Sequence, residues 1–135
     1  MPRLVEHIDA IARKLKRDVL YLEFLKAQRP HYADYRHLES RLRIVQWLDN
    51  EGIEWCECGQ VASETVMRSY AGEIFLNVQF DETDDQYRKL QAFLEYPDGT
   101  MRFEDGKFYI CSLELAMENA HHDEPGFWDR WADNF

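Results

Sequence analysis

GQVASETVMRSYA, residues 59–71, is the stretch on which the fold turns. Read as a short helix, Ser63 caps it and Val66, Met67 and Tyr70 form its apolar side. It would then carry the chain across to a parallel strand. Read as an irregular connection, it leaves its flanking strands free to pair antiparallel. Upstream, IEWCEC (53–58) has the composition of a strand. Downstream, GEIFLNVQF (72–80) is the clearest strand in the chain. Ile74, Leu76, Val78 and Phe80 alternate with Glu73, Phe75, Asn77 and Gln79, which predicts a sheet covered on one side.

The pattern extends outward in both directions. DVLYLEFL (18–25) reads as a buried strand. KAQRPHYAD (26–34) reads as a polar loop. Asp34 is placed to cap a helix through YRHLESRLRIVQWLDNE, with Leu38, Leu42, Val45 and Leu48 facing the core and Gly52 ending it. Before all of these, Leu4, Ile8, Ile11 and Leu15 predict a helix over 3–16. Its acids Glu6 and Asp9 come early and its bases Arg13, Lys14, Lys16 and Arg17 come late, which suits the helix dipole. On the C-terminal side, DETDDQYRKLQAFLEY reads as a helix with the stripe Tyr87, Leu90, Phe93 and Leu94, stopped by Pro97-Asp98-Gly99. TMRF and KFYI flank Asp105-Gly106, a hairpin signal. Ser112 caps a short helix over 112–120, and Pro125 suits the first turn of a last one through Phe127–Asn134.

Set in order, these elements predict a single α+β domain over 1–135. The expected fold is a ferredoxin-like βαββαβ plait with an added N-terminal helix and a C-terminal helical tail over 121–135. The alternative, if 59–71 is a crossover helix, is a three-layer α/β sheet. The plait leaves one sheet face to be shielded by the first helix, the tail or a second subunit, with Phe75 and Tyr109 on that face.

A chain of 135 residues, 45% hydrophobic and 14% aromatic, is long enough to bury a core. Residues 1–50 hold ten Lys and Arg against seven Asp and Glu; residues 51–135 hold six against nineteen. A net charge of −10 repels phosphate backbones, so no nucleic-acid partner is expected. Apolar runs are too short for a bilayer, and charges interrupt the N-terminus, so neither a membrane span nor a signal peptide is expected. Cys56, Cys58 and Cys111 read as reduced thiols, the first two on one face of a strand, and the expected location is cytoplasmic.

Candidate functional residues are few. ENAHHDEPGFWDRWADNF (118–135) gathers histidines, acids and rings. Glu118, His121 and Glu124 share the i,i+3 spacing of helical metal ligands. Adjacent histidines point in different directions, and Asp123 or Glu124 suits a helix cap, so no metal and no cofactor is expected. Phe127, Trp128 and Trp131 form an aromatic surface expected either to pack on the domain or to anchor a protein partner. No nucleophile elbow, phosphate loop or zinc-protease motif occurs. The weak catalytic candidates are His31, His37 and Arg68. Two readings follow: a small acidic protein-binding or regulatory module, with a protein partner or a second copy of itself, or a small enzyme with a histidine pocket between sheet and helices.

Overall fold

The computed structural model describes residues 5–24, 35–65 and 70–133. In chain order they form helix α1 (Ile8–Leu15), strand β1 (Val19–Phe24), helix α2 (Glu39–Asn50), strands β2 (Trp55–Glu57) and β3 (Ile74–Leu76), and helix α3 (Asp85–Leu94). Strand β4 (Gly106–Cys111) and helices α4 (Leu113–Met117) and α5 (Phe127–Asp133) complete them. Single 3₁₀ turns cover Tyr35–His37 and Ala120–Asp123. The fold is mixed α+β. One four-stranded sheet runs in the order β2-β3-β1-β4, and each neighbouring pair is antiparallel.

The β2–β3 pair answers the question raised by residues 59–71. Trp55 faces Leu76 and Glu57 faces Ile74, so the chain reverses between them. The parallel crossover of a three-layer sheet is not made here. Residues 59–65 contain no helix and are laced to α1 and the segment before it. Gly59 N–H donates to the Glu6 carbonyl at 2.8 Å, and Ile8 N–H donates to the Gly59 carbonyl at 2.9 Å. Ala62 N–H donates to the Asp9 carboxylate at 3.0 Å. Ser63 accepts from Thr65 N–H, a local turn in place of a helix cap. Val66 and Met67 lie outside the described residues.

Alternation along β1 builds two cores. Leu20, Leu22 and Phe24 face Ile44 and Leu48 of α2 and Tyr87, Leu90 and Leu94 of α3. Val19 and Tyr21 face the other way, into Ile8, Ile11 and Ala12 of α1, with Phe75, Cys111 and Ala116. The sheet is therefore covered on both sides, where the alternation over 72–80 predicted one. The first helix supplies the second cover. Phe75 is buried in it, while Tyr109 stays exposed and leans on Tyr21 at 5.6 Å. Glu73 is buried as well, its carboxylate accepting from Ala71 N–H at 3.1 Å.

Two further expectations are corrected. Leu42 does not face the core; Arg41, Ile44 and Leu48 do. A cation takes that position because its guanidinium donates to the Gly72 carbonyl at 2.9 Å and the Tyr70 hydroxyl at 3.1 Å. Gly72 has φ +98, and a side chain there would meet Tyr35 Cβ at 2.8 Å, so this junction requires glycine. The hairpin across Asp105-Gly106 also does not form. Met101 bridges Glu95, Arg102 N–H bonds the Leu94 carbonyl, and β4 pairs with β1 along its whole length. Asp-Gly marks the turn correctly, but a local signal does not choose the partner strand. Two helix starts were legible: Asp84 accepts from Tyr87 N–H and Ser112 from Leu115 N–H, both at 3.1 Å. The start of α2 was not: it begins at Glu39, after Leu38 and without a side-chain cap, where the sequence reading began the helix at Tyr35. No helix among the described residues is long and apolar enough to cross a membrane.

Candidate functional site

Past β4, the chain folds back over α1, and a buried polar cluster fixes it there. Asp9 and Arg13 lie one turn apart on α1, and both are buried. Arg13 Nη1 donates to Asp9 Oδ2 at 3.0 Å and to the Ala116 carbonyl at 2.9 Å. Its Nε and Nη2 grip both oxygens of Asp123 at 2.8 and 2.9 Å. Asn119 Nδ2 adds a bond to Asp9 at 2.9 Å. Burial alone would raise the Asp9 pKa. The Ala62 N–H, the Asn119 amide and the Arg13 guanidinium outweigh that and hold it below the ordinary value. Hydrogen bonds from Arg13 do the same for Asp123. Asp123 thus clamps the C-terminal segment to α1, where the sequence suggested a helix cap. The i,i+4 spacing of Asp9 and Arg13 signalled half of this cluster; the contribution from a residue 110 positions away had no local signal.

One residue earlier the chemistry differs. The His122 side chain is only 2% exposed, yet neither of its ring nitrogens has a hydrogen-bond partner among the described residues. A buried polar group left in this state costs about 1–3 kcal/mol. Its Nε2 lies 3.9 Å from Glu64 Oε2, and His121 Nε2 lies 3.6 Å from the same oxygen. Ligand atoms of Glu64, His121 and His122 all fall within 4.8 Å of one another, the one such group among the described residues. These separations are too long for hydrogen bonds. They approach the roughly 3.3 Å between donors that share a tetrahedral ion at about 2.0–2.2 Å. Burial lowers the His122 pKa, and His121 lowers it further against the opposing pull of Glu64. The ring is therefore neutral at neutral pH, which is the ligating form.

The tail rings cover the His122 side of this group. Phe127 lies 4.8 Å from the His122 ring and Trp128 lies 4.6 Å from it. Trp128 also reaches His7 at 5.5 Å, and Trp131 packs on Trp128 at 5.4 Å. Trp131 Nε1–H donates to the Glu64 carbonyl at 2.9 Å. Phe127, Trp128 and Trp131 are each half-buried, and α5 buries no residue fully.

The residues singled out from the sequence are dispersed differently. Glu118, His121 and Glu124 are not gathered into one group: Glu118 is exposed and Glu124 pairs with Arg130 at 3.6 Å. The adjacent histidines converge after all, because the 3₁₀ turn sets their rings 4.4 Å apart and both Nε2 atoms lie near Glu64. Sequence reasoning missed Glu64 altogether. His37 is exposed on its 3₁₀ turn, while His31 and Arg68 lie outside the described residues. A cavity of about 230 Å³ opens between α1 and β2–β3, lined by residues such as Ile11, Cys56 and Phe75, and no histidine among the described residues borders it. Cys56 is exposed and Cys58 buried, but both lie on the α1 side of the sheet: Cys56 pairs with Phe75 and borders that cavity, and Cys58 is buried with Ile11 and Phe75. Burial pushes the Cys111 thiol up to about 11, and Cys58 is raised for the same reason. Comparison of the chain with protein-family models, curated proteins and solved structures found no match.

Proposed function

We propose that the chain is a small acidic protein-binding or regulatory module whose contact surface for a basic protein is the ring-bearing segment Phe127–Asp133. One observation carries this reading: three large rings are half-buried, with their backs set against His7, His122 and one another. Rings that are held on one side and wet on the other resemble interface anchors more than core residues. Exposed Asp129 and Asp133 lie on the same helix, and residues 51–135 carry nineteen acids against six bases. Such a surface steers a basic partner.

The fold underlying this reading is a ferredoxin-like plait with an added N-terminal helix and a C-terminal helical tail. The strand order, the antiparallel neighbours and the packing of α2 and α3 on one face support it. A cytoplasmic location belongs to the same reading, supported by the free thiols of Cys58 and Cys111.

The test is capture from an extract of the native host, with full chain and a Phe127→Ala/Trp128→Ala/Trp131→Ala variant side by side. The expected result is one basic protein, bound at low salt, released at high salt and lost from the variant. Capture that survives the triple substitution, or ignores salt, would refute the reading. Light scattering on the full chain and on a chain ending at Glu124 separates self-association from a foreign partner.

A further inference from the structure

We propose that Glu64, His121 and His122 form a site for one divalent transition-metal ion, with zinc as the type, and that the ion fastens the C-terminal segment to the connection after β2. This inference does not rest on the partner reading. The donor set is two imidazoles and one carboxylate. That combination suits zinc, cobalt, nickel or ferrous iron; magnesium and calcium require mainly oxygen donors.

Three independent features point to the same place. Donor atoms from two distant parts of the chain lie within 4.8 Å of one another. Both His122 nitrogens are buried without a hydrogen-bond partner among the described residues, and Nε2 lies 3.9 Å from the Glu64 carboxylate. The surroundings are built asymmetrically. Phe127 and Trp128 wall off the His122 side, while His121 and Glu64 are 46% and 47% exposed and leave a way in from water. A small closing movement of two exposed side chains onto the fixed His122 would complete three ligands, with a fourth position open to water.

The link to the tail follows from connectivity. Glu64 precedes β3, whereas both histidines lie in the 3₁₀ turn that leads to α5. Trp131 already donates to the backbone of Glu64, so the ligand and the last helix share a support. Bonds of this kind outside the ligand shell orient metal ligands. An ion bound here would reinforce a junction that the Trp131–Glu64 and Asn119–Ala62 hydrogen bonds already make.

The experiment uses the full chain, stripped with a chelator and titrated with zinc chloride by calorimetry at neutral pH. One equivalent should bind. Glu64→Gln and His121→Ala change exposed side chains, so they should fold normally and weaken zinc at least about tenfold. His37→Ala should bind as the parent does. Cupric ion should quench tryptophan fluorescence with saturation at one equivalent, because Trp128 lies 4.6 Å from His122, and His121→Ala should abolish the saturation. Amide exchange over 120–133 should slow when zinc is bound. No stoichiometric binding, unchanged affinity in both variants, or identical exchange with and without zinc would overturn the proposal.

Discussion

Asp123 and His122 are neighbours in one 3₁₀ turn, and the two clusters they enter are opposites. Around Asp123 the polar groups are saturated: Arg13 makes four hydrogen bonds, to Asp9, Asp123 and the Ala116 carbonyl. Around His122 the nitrogens have no hydrogen-bond partner among the described residues. A closed cluster of charges locks segments together, since removing Arg13 strands the buried Asp9, and removing the acids strands the buried Arg13. An open one costs stability for as long as nothing binds it. The difference separates a structural fastening from a candidate site, although both take ionisable residues from the same 3₁₀ turn.

The largest effect should come from breaking the closed cluster. Arg13→Met leaves Asp9 buried without its cation and should cost about 3–5 kcal/mol, read from urea unfolding. His122→Phe should do the reverse in metal-free protein. It removes two unsatisfied nitrogens and should raise stability by about 1 kcal/mol. If both substitutions destabilise equally, the contrast between the clusters is lost.

Acid should separate them as well. The folded pKa of His122 lies below its ordinary value of 6.5, and that of His7 does too. The unfolded chain then takes up protons first as the pH falls. Stability is full above about 6.5, declines through that value, and levels off only below the folded pKa. Asp9 and Asp123 are held below 3.8, so their contribution persists to stronger acid and is lost only there. Denaturation curves across this range should show two declines, and His122→Phe should shrink the first while sparing the second. A first decline of unchanged size would place its origin elsewhere. The smallest effect belongs to an exposed pair outside both clusters. Lys14→Ala removes a 3.5 Å contact with Glu6 and should shift stability by no more than about 0.5 kcal/mol.

Much of this fold was legible because its signals are local. The period of α3, the caps at Asp84 and Ser112, and the apolar run of β1 announce themselves within a few residues. What escaped depends on distant neighbours. Arg41 displaces Leu42 from the core face because a carbonyl at Gly72 and a hydroxyl at Tyr70 await it. The strand after Gly106 joins β1 in place of its sequence neighbour. The candidate site shows the same division. His121 and His122 drew notice from sequence, but their common partner Glu64 sits in the stretch with the weakest pattern. Spacing cannot reveal a ligand some sixty residues away.

The most direct test of the open cluster is a long-range proton–nitrogen spectrum of the imidazoles, recorded on the full chain before and after one equivalent of zinc. The account predicts that the Nε2 signals of His121 and His122 move together while those of His37 stay in place. Equal movement of all the histidines, or none, would contradict it.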